Sequence, residues 1–149
     1  MKMYRMAAGA ALAFALMSGK PAMADDWPFE PGQYIEVAMI SVDDGHDLDY
    51  AKFLANTWRK SQEFAKSKGW ISSYEVDWNV YKRPGEPDYY LITRTAALPD
   101  AAEQQKRNDA YTAYMKMTDA QLQAASGDRA TYRHVMGSTL LQEAVFKDQ

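Results

Sequence analysis

The amino-acid sequence predicts an α+β fold in which a four-stranded antiparallel sheet carries helices on one face. Three observations lead there. Four segments are rich in β-branched and aromatic residues, at residues 33–42, 70–82, 88–96 and 140–147. Between them lie stretches whose apolar residues recur at helical spacing. The two middle strands are joined by RPGEP, a run of turn residues that makes them an antiparallel hairpin.

Each element has its own reason. Residues 25–32, DDWPFEPG, hold two prolines and a glycine and read as an irregular lead-in. QYIEVAMISV, residues 33–42, is the first strand. DDGHD turns the chain, and Asp47 is placed to cap the first helix. Tyr50, Phe53, Leu54, Thr57, Trp58, Ser61 and Phe64 follow helical spacing along it. Gly69 stands where a helix C-terminus favours glycine. Asp100 with Glu103 resembles a capping box and opens a helix reaching about Met117; Thr118 with Gln121 repeats the pattern and opens another. EQQKRND predicts a solvated start for the earlier of these two helices, and Tyr111, Tyr114 and Met115 predict its core face. LLQEAVFK, residues 140–147, is the last strand. The order β-α-β-β-α-α-β is the split-βαβ, ferredoxin-like arrangement with an extra helix before the final strand. Helices on one face leave the other open, to be met by water, a ligand or a partner.

The first residues predict an address. Lys2 and Arg5 precede the apolar run MAAGAALAFALM, and SGKPAMA then ends in small-x-small residues. This is the three-part pattern of a secretory signal peptide, residues 1–24, cleaved after Ala24. The run is shorter than the ~20 apolar residues of a membrane span, so no membrane anchor is expected. The expected mature chain, residues 25–149, is one domain of 125 residues, periplasmic or secreted. It carries 14 basic and 20 acidic side chains, a net charge of −6. Without a basic cluster it is not a nucleic-acid binder. Cysteine is absent, which excludes disulfides, thiolate metal sites and a cysteine nucleophile.

Two segments carry a resemblance. DYAKFLANTWRKSQEFAKSKGWISSYEV has a Trp in the first helix and a Gly-Trp entering the second strand, here Trp58, Gly69 and Trp70, and the chain closes on GSTLLQEAVFK. Over about residues 34–147 the chain resembles small exported members of the dimeric α/β-barrel superfamily. The resemblance implies a homodimer in which two ferredoxin-like subunits place their open sheet faces together. Members of that superfamily include cofactor-independent monooxygenases, haem-degrading enzymes, isomerases and proteins with no known activity. In the haem-degrading members a helical histidine ligates the iron, in company with Asn and Trp. No histidine falls in the first helix of this chain, so haem is not implied and no cofactor is expected.

The candidate site follows from strand alternation. Tyr74, Val76, Trp78 and Val80 alternate with Glu75, Asp77, Asn79 and Tyr81. The first set is expected against the helices and the second on the open face, joined there by Glu36 and Gln142. Arg94 reaches one face or the other according to the hairpin register. A buried Arg is costly without a partner, so the open face, opposite Asp77, is expected. Glu36, Asn79, Tyr81, Arg94 and Gln142 are the candidate ligand contacts. Glu75, Asp77 and His134 are the candidate acid–base groups. The structural alternative is that the carboxylates face water or form ion pairs between subunits. Tyr89 and Tyr90, adjacent on one strand, must split between the two faces.

His46 stands among Asp43, Asp44, Asp47 and Asp49, but calcium-loop spacing is missing and Leu54 falls where a closing Glu belongs. An acidic turn before a helix also suits the helix dipole, so no metal is expected. His134 beside Arg129 and Arg133 suits an anionic ligand group or a helix-end contact. No G-x-S-x-G, H-E-x-x-H or phosphate-binding glycine loop occurs. The expected function is binding of a small organic ligand in or beside an inter-subunit barrel. The alternatives are a cofactor-independent monooxygenase or isomerase, and a structural or interaction protein.

Overall fold

The computed structural model describes residues 27–147, so the expected signal segment lies outside the described residues. Strand β1 (Phe29–Val42) is followed by a helical rod made of α1 (Asp47–Phe53), a π-helical turn (Leu54–Trp58) and α2 (Arg59–Ser67). The hairpin β2 (Ser73–Trp78) and β3 (Tyr89–Thr95) comes next, then α3 (Ala101–Met115), α4 (Asp119–Arg129) and β4 (Arg133–Phe146). The sheet order is β2-β3-β1-β4, with every neighbouring pair antiparallel. The expected α+β fold with a four-stranded antiparallel sheet is therefore present. β1 and β2 run parallel to one another with β3 between them.

Alternation along the strands sorts the residues. Ala38, Ile40 and Val42 of β1, Tyr89 and Leu91 of β3 and Val76 of β2 pack with Tyr50, Phe53, Leu54 and Trp58 of the rod. These contacts define the helix-covered side. Tyr50 is 1% exposed and Ile40 2%. Burying such side chains stabilises the fold by about 1.5–3 kcal/mol each. The fully buried hydrophobic set is small, six residues in all among those described, which leaves much apolar surface outside the core.

Several boundaries differ from those the sequence predicts, each for a physical reason. β1 starts at Phe29, so the expected irregular lead-in is partly strand. Pro31 and Gly32 fit there because the register with β4 shifts between Pro31 and Tyr34, a bulge that tolerates a proline. Gly32 is also needed for space. A Cβ at that position would come within 2.8 Å of Val145 Cγ2 and 2.9 Å of Glu143 Cβ. β4 starts at Arg133 rather than 140, because the long β1 offers a partner as far as Val42. His134, expected near a helix end, is consequently a strand residue. β2 stops at Trp78 instead of reaching Lys82, so Asn79 and Tyr81 belong to the connection and not to a sheet face.

The helix starts hold as local chemistry predicts, with two exceptions. Thr118 and Gln121 form the full reciprocal capping box of α4. Asp100 caps α3 by accepting from the Glu103 N–H, but the Glu103 carboxylate turns forward to Arg107 at 3.0 Å instead of closing the box. Asp47 is the first residue of α1 and not its cap. His46 takes the cap position without a side-chain cap bond, and Asp47 and Asp49 sit in the first turn where the helix dipole favours them. Gly69 follows the rod at φ +70°, the left-handed conformation that ends a helix and that glycine adopts without strain. Among the described residues no helix is long and apolar enough to cross a membrane.

Candidate functional site

The uncovered side of the sheet is built by the odd residues of β1. Ile35, Val37 and Met39 lie opposite Arg94, Ile92 and Tyr90 of β3, and opposite Leu141, Thr139 and Gly137 of β4. β2 adds Ser73, Glu75 and Asp77, opposite Arg94, Ile92 and Tyr90. The centre of this face is therefore apolar; Glu75 and Asp77 stand along its β2 side, and Glu143, with the parity of Leu141, along its β4 side. Tyr89 and Tyr90 split between the faces as adjacent strand residues must. Tyr89 packs edge-on to Tyr50 with ring centroids 5.4 Å apart, and Tyr90 faces out beside Asp77.

Arg94 is on the uncovered face, but its partner is not the expected one. The register sets Arg94 opposite Ser73, two residues from Glu75 and four from Asp77. Its Nη1 donates to Glu75 Oε1 at 3.0 Å. Both side chains are about two-fifths exposed, so the pair is a partly solvated one of modest strength. Asp77 has no ion-pair partner among the described residues.

The remaining sequence candidates disperse. Glu36 shares the parity of Ala38 and Ile40, opposite Thr93 and Leu140, and so points to the helix side, exposed, rather than to the open face. Gln142 lies opposite Tyr34 with the same parity; its amide reaches the Gly32 carbonyl at 3.4 Å. Asn79 and Tyr81 belong to the loop 79–88. Asn79 donates to Glu86, and Tyr81 is 89% exposed with nothing to enclose a ligand. Glu86 organises that loop. It accepts from the Arg83 N–H, the Arg83 side chain and Asn79, and these bonds, the backbone one foremost, pull its carboxyl down to about 2. Asp88 then latches the loop to β1 by accepting from the Val42 N–H at 2.9 Å and from Lys82 at 2.7 Å. Burial pushes the Asp88 carboxyl up, and these donors outweigh it, so the group sits below its ordinary range.

His134 does not join Arg129 and Arg133. Strand alternation sends Arg133 to the side of Val42 and His134 to the side of Ser41. His134 Nε2 lies 2.9 Å from Asp43 Oδ1, and both are exposed. His46 stacks on Tyr132 and lies 3.3 Å from Asp49. Among the described residues no group of three metal-ligating side chains converges.

The helix-covered side holds what the sequence did not show. A cleft of about 500 Å³ opens between the rod and the α3–α4 pair, with Phe53, Trp58, Ser61, Trp70, Tyr111 and Arg129 among its walls. Ser61 Oγ and Tyr111 Oη are 2.7 Å apart across it. A second, more apolar cleft of about 420 Å³ lies between the rod and β2, walled by Leu54, Trp58, Tyr74, Val76, Trp78 and Tyr89. Trp58 lines both and meets Tyr74 edge-on at 5.5 Å. Both volumes suit a small organic molecule. The π-helical turn Leu54–Trp58 separates them, and such turns recur at functional sites. The aromatic residues were visible in the sequence, but a π turn differs from an α turn by one residue and leaves no periodic trace in a five-residue segment. Burial pushes the Tyr50 hydroxyl, in the core beside these clefts, up to about 12, with Arg133 and Arg129 opposing. No known family model matches the chain, and no curated protein matches it in sequence; function has to be read from the residues themselves.

Proposed function

We propose that the protein is an exported, homodimeric small-molecule-binding protein of the ferredoxin-like, dimeric α/β-barrel kind, with its ligand face on the open side of the sheet. One observation carries this reading: a whole sheet face is left without a partner in the chain, and its centre is apolar. Ile35, Val37, Met39, Ile92 and Leu141 share it with the Glu75–Arg94 pair. β4 adds to the imbalance. It is an edge strand of 14 residues, none of them buried, and Leu141 and Val145, which have the parity of the open face, are 49% and 37% exposed. Long apolar edges invite pairing, and contiguous apolar surface marks an interface. A second copy placed face to face covers both, at the ~1,600 Å² typical of a stable interface. The order β2-β3-β1-β4, with β3 splitting the parallel pair β1 and β2, supports the ferredoxin-like reading.

In that dimer Arg94, Glu75 and Asp77 border an apolar interior, an arrangement that holds a small ligand by its polar groups. The enzyme reading, an oxygenase or isomerase with Glu75, Asp77 or His134 as base, has less support. Glu75 is already tied to Arg94 and His134 lies against Asp43, so neither stands free to take a proton from a substrate. Native mass spectrometry of the protein from its own host tests the proposal. The expected result is a dimer carrying a small organic molecule that Arg94→Gln no longer retains. A bare monomer contradicts the proposal.

A further inference from the structure

The cleft between the rod and the α3–α4 pair contains an arginine in an unusual setting. Arg129, the last residue of α4, lays its guanidinium on the Phe53 ring with Cζ 4.0 Å from the ring centroid. Its Nε is buried and has no hydrogen-bond partner. Among the described residues it has no carboxylate within ion-pair distance. Arg133, which does not line the cleft, donates Nη2 to the Ser126 carbonyl and hydroxyl, and its Nε too is buried without a partner. The two arginines act on each other electrostatically, and burial, then Arg133, lowers the pKa of Arg129. The same cleft holds a contrasting case. Arg107 lies 5.4 Å from the Trp70 ring but is neutralised by Glu103 at 3.0 Å.

Burying a cation costs free energy unless an anion or several acceptors accompany it; the Nε of Arg129 is closed off, so an incoming anion would be met by its terminal nitrogens. Arg129 is left with a positive charge that no carboxylate answers among the described residues. Around Arg129 the cleft presents aromatic faces, with the Ser61 and Tyr111 hydroxyls as further polar groups. We propose that this cleft is a binding site for a small aromatic carboxylate, whose ring lies among Phe53, Trp58 and Tyr111 and whose anionic end is received by Arg129. The site is separate from the open sheet face and stands whether or not that face binds a ligand or a second copy.

The test uses the full protein with two probes of the same shape, 1-naphthoate and naphthalene-1-carboxamide, titrated calorimetrically. The expected result is one naphthoate per chain, with the carboxamide bound about tenfold more weakly or worse, the margin of a charge-assisted hydrogen bond. Arg129→Gln is expected to remove that margin while leaving carboxamide binding unchanged. Arg94→Gln leaves both probes unaffected, which separates this site from the sheet face. If Arg129→Gln fails to fold, Ala125→Phe serves instead, since Ala125 lines the cleft and the larger ring fills it without altering charge; it is expected to abolish binding of both probes. No binding of naphthoate at about 1 mM, equal affinity for acid and amide, or indifference to whichever of Arg129→Gln and Ala125→Phe is measured would each overturn the proposal.

Discussion

At the scale of single residues, the ion pair on the sheet and the carboxylate in the loop behave differently and can be measured separately. Arg94 and Glu75 are close but half-solvated, so their coupling belongs to the weak class of exposed pairs. A double-mutant cycle with Glu75→Gln and Arg94→Met is expected to return a coupling of about 0.2–1 kcal/mol. Asp77→Asn is expected to change stability by less than about 0.5 kcal/mol. A larger effect at Asp77 than at Glu75 would mean that the hairpin register is shifted. Glu86 is a matter of pH. Its folded-state pKa of about 2 lies below the ordinary 4.5. The contribution is therefore present in full above pH 4.5 and is lost as pH falls toward 2. The Asn79 side-chain amide, which donates to Glu86, is expected to shift in an NMR titration across that window and to stay constant above it. In Glu86→Gln the shift disappears. An Asn79 amide that is silent from pH 5 to 2 would contradict the loop description.

At the scale of elements, legibility depended on whether the signal was local. Asp100, Thr118 and Gly69 announce helix ends because a cap or a left-handed residue works through two or three neighbours. Those positions serve in the structure as they read in the sequence. The Glu103 side chain, which had a choice between its own cap and Arg107, was not readable, since the Arg is four residues on and equally reachable. The end of β2 differs from its sequence expectation for a related reason. Val80 and Tyr81 are good strand formers, yet Asp88 and Glu86 bind the loop so that pairing ends at Trp78. The π turn left no periodic signal. Two substitutions check the local account. Gly69 has no heavy atom within 4 Å of a Cβ, so Gly69→Ala isolates the cost of a positive φ, expected at about 1–2 kcal/mol in urea unfolding. Thr118→Ala, which removes a cap, is expected to cost about 1 kcal/mol. A neutral Gly69→Ala would show that the rod ends elsewhere.

At the scale of the whole molecule, the sequence made the layers legible and left the pairing between them open. Alternation in β2 did separate Val76 from Glu75 and Asp77. It could not say that Glu36 and Gln142 share the helix-side parity, because that depends on which residues of β1 and β4 oppose one another, and a slip of one residue exchanges the faces. Nor could a chain read in order foresee that Arg129 and Phe53, far apart in sequence, wall one cleft with Trp58. The molecule that results has a small core, clefts on its covered side and a face with an apolar centre on the other. The proposal that a second copy closes this face is tested most directly by sedimentation at micromolar concentration, comparing the protein with Leu141→Asp. Leu141 is 49% exposed and is not one of the buried core residues, so the subunit should fold with or without it. The expected result is a dimer for the protein and a folded monomer for Leu141→Asp, since an unpaired carboxylate in the closed interior is costly. A protein that sediments as a monomer at low and high salt alike, or a Leu141→Asp dimer as tight as the original, would contradict it.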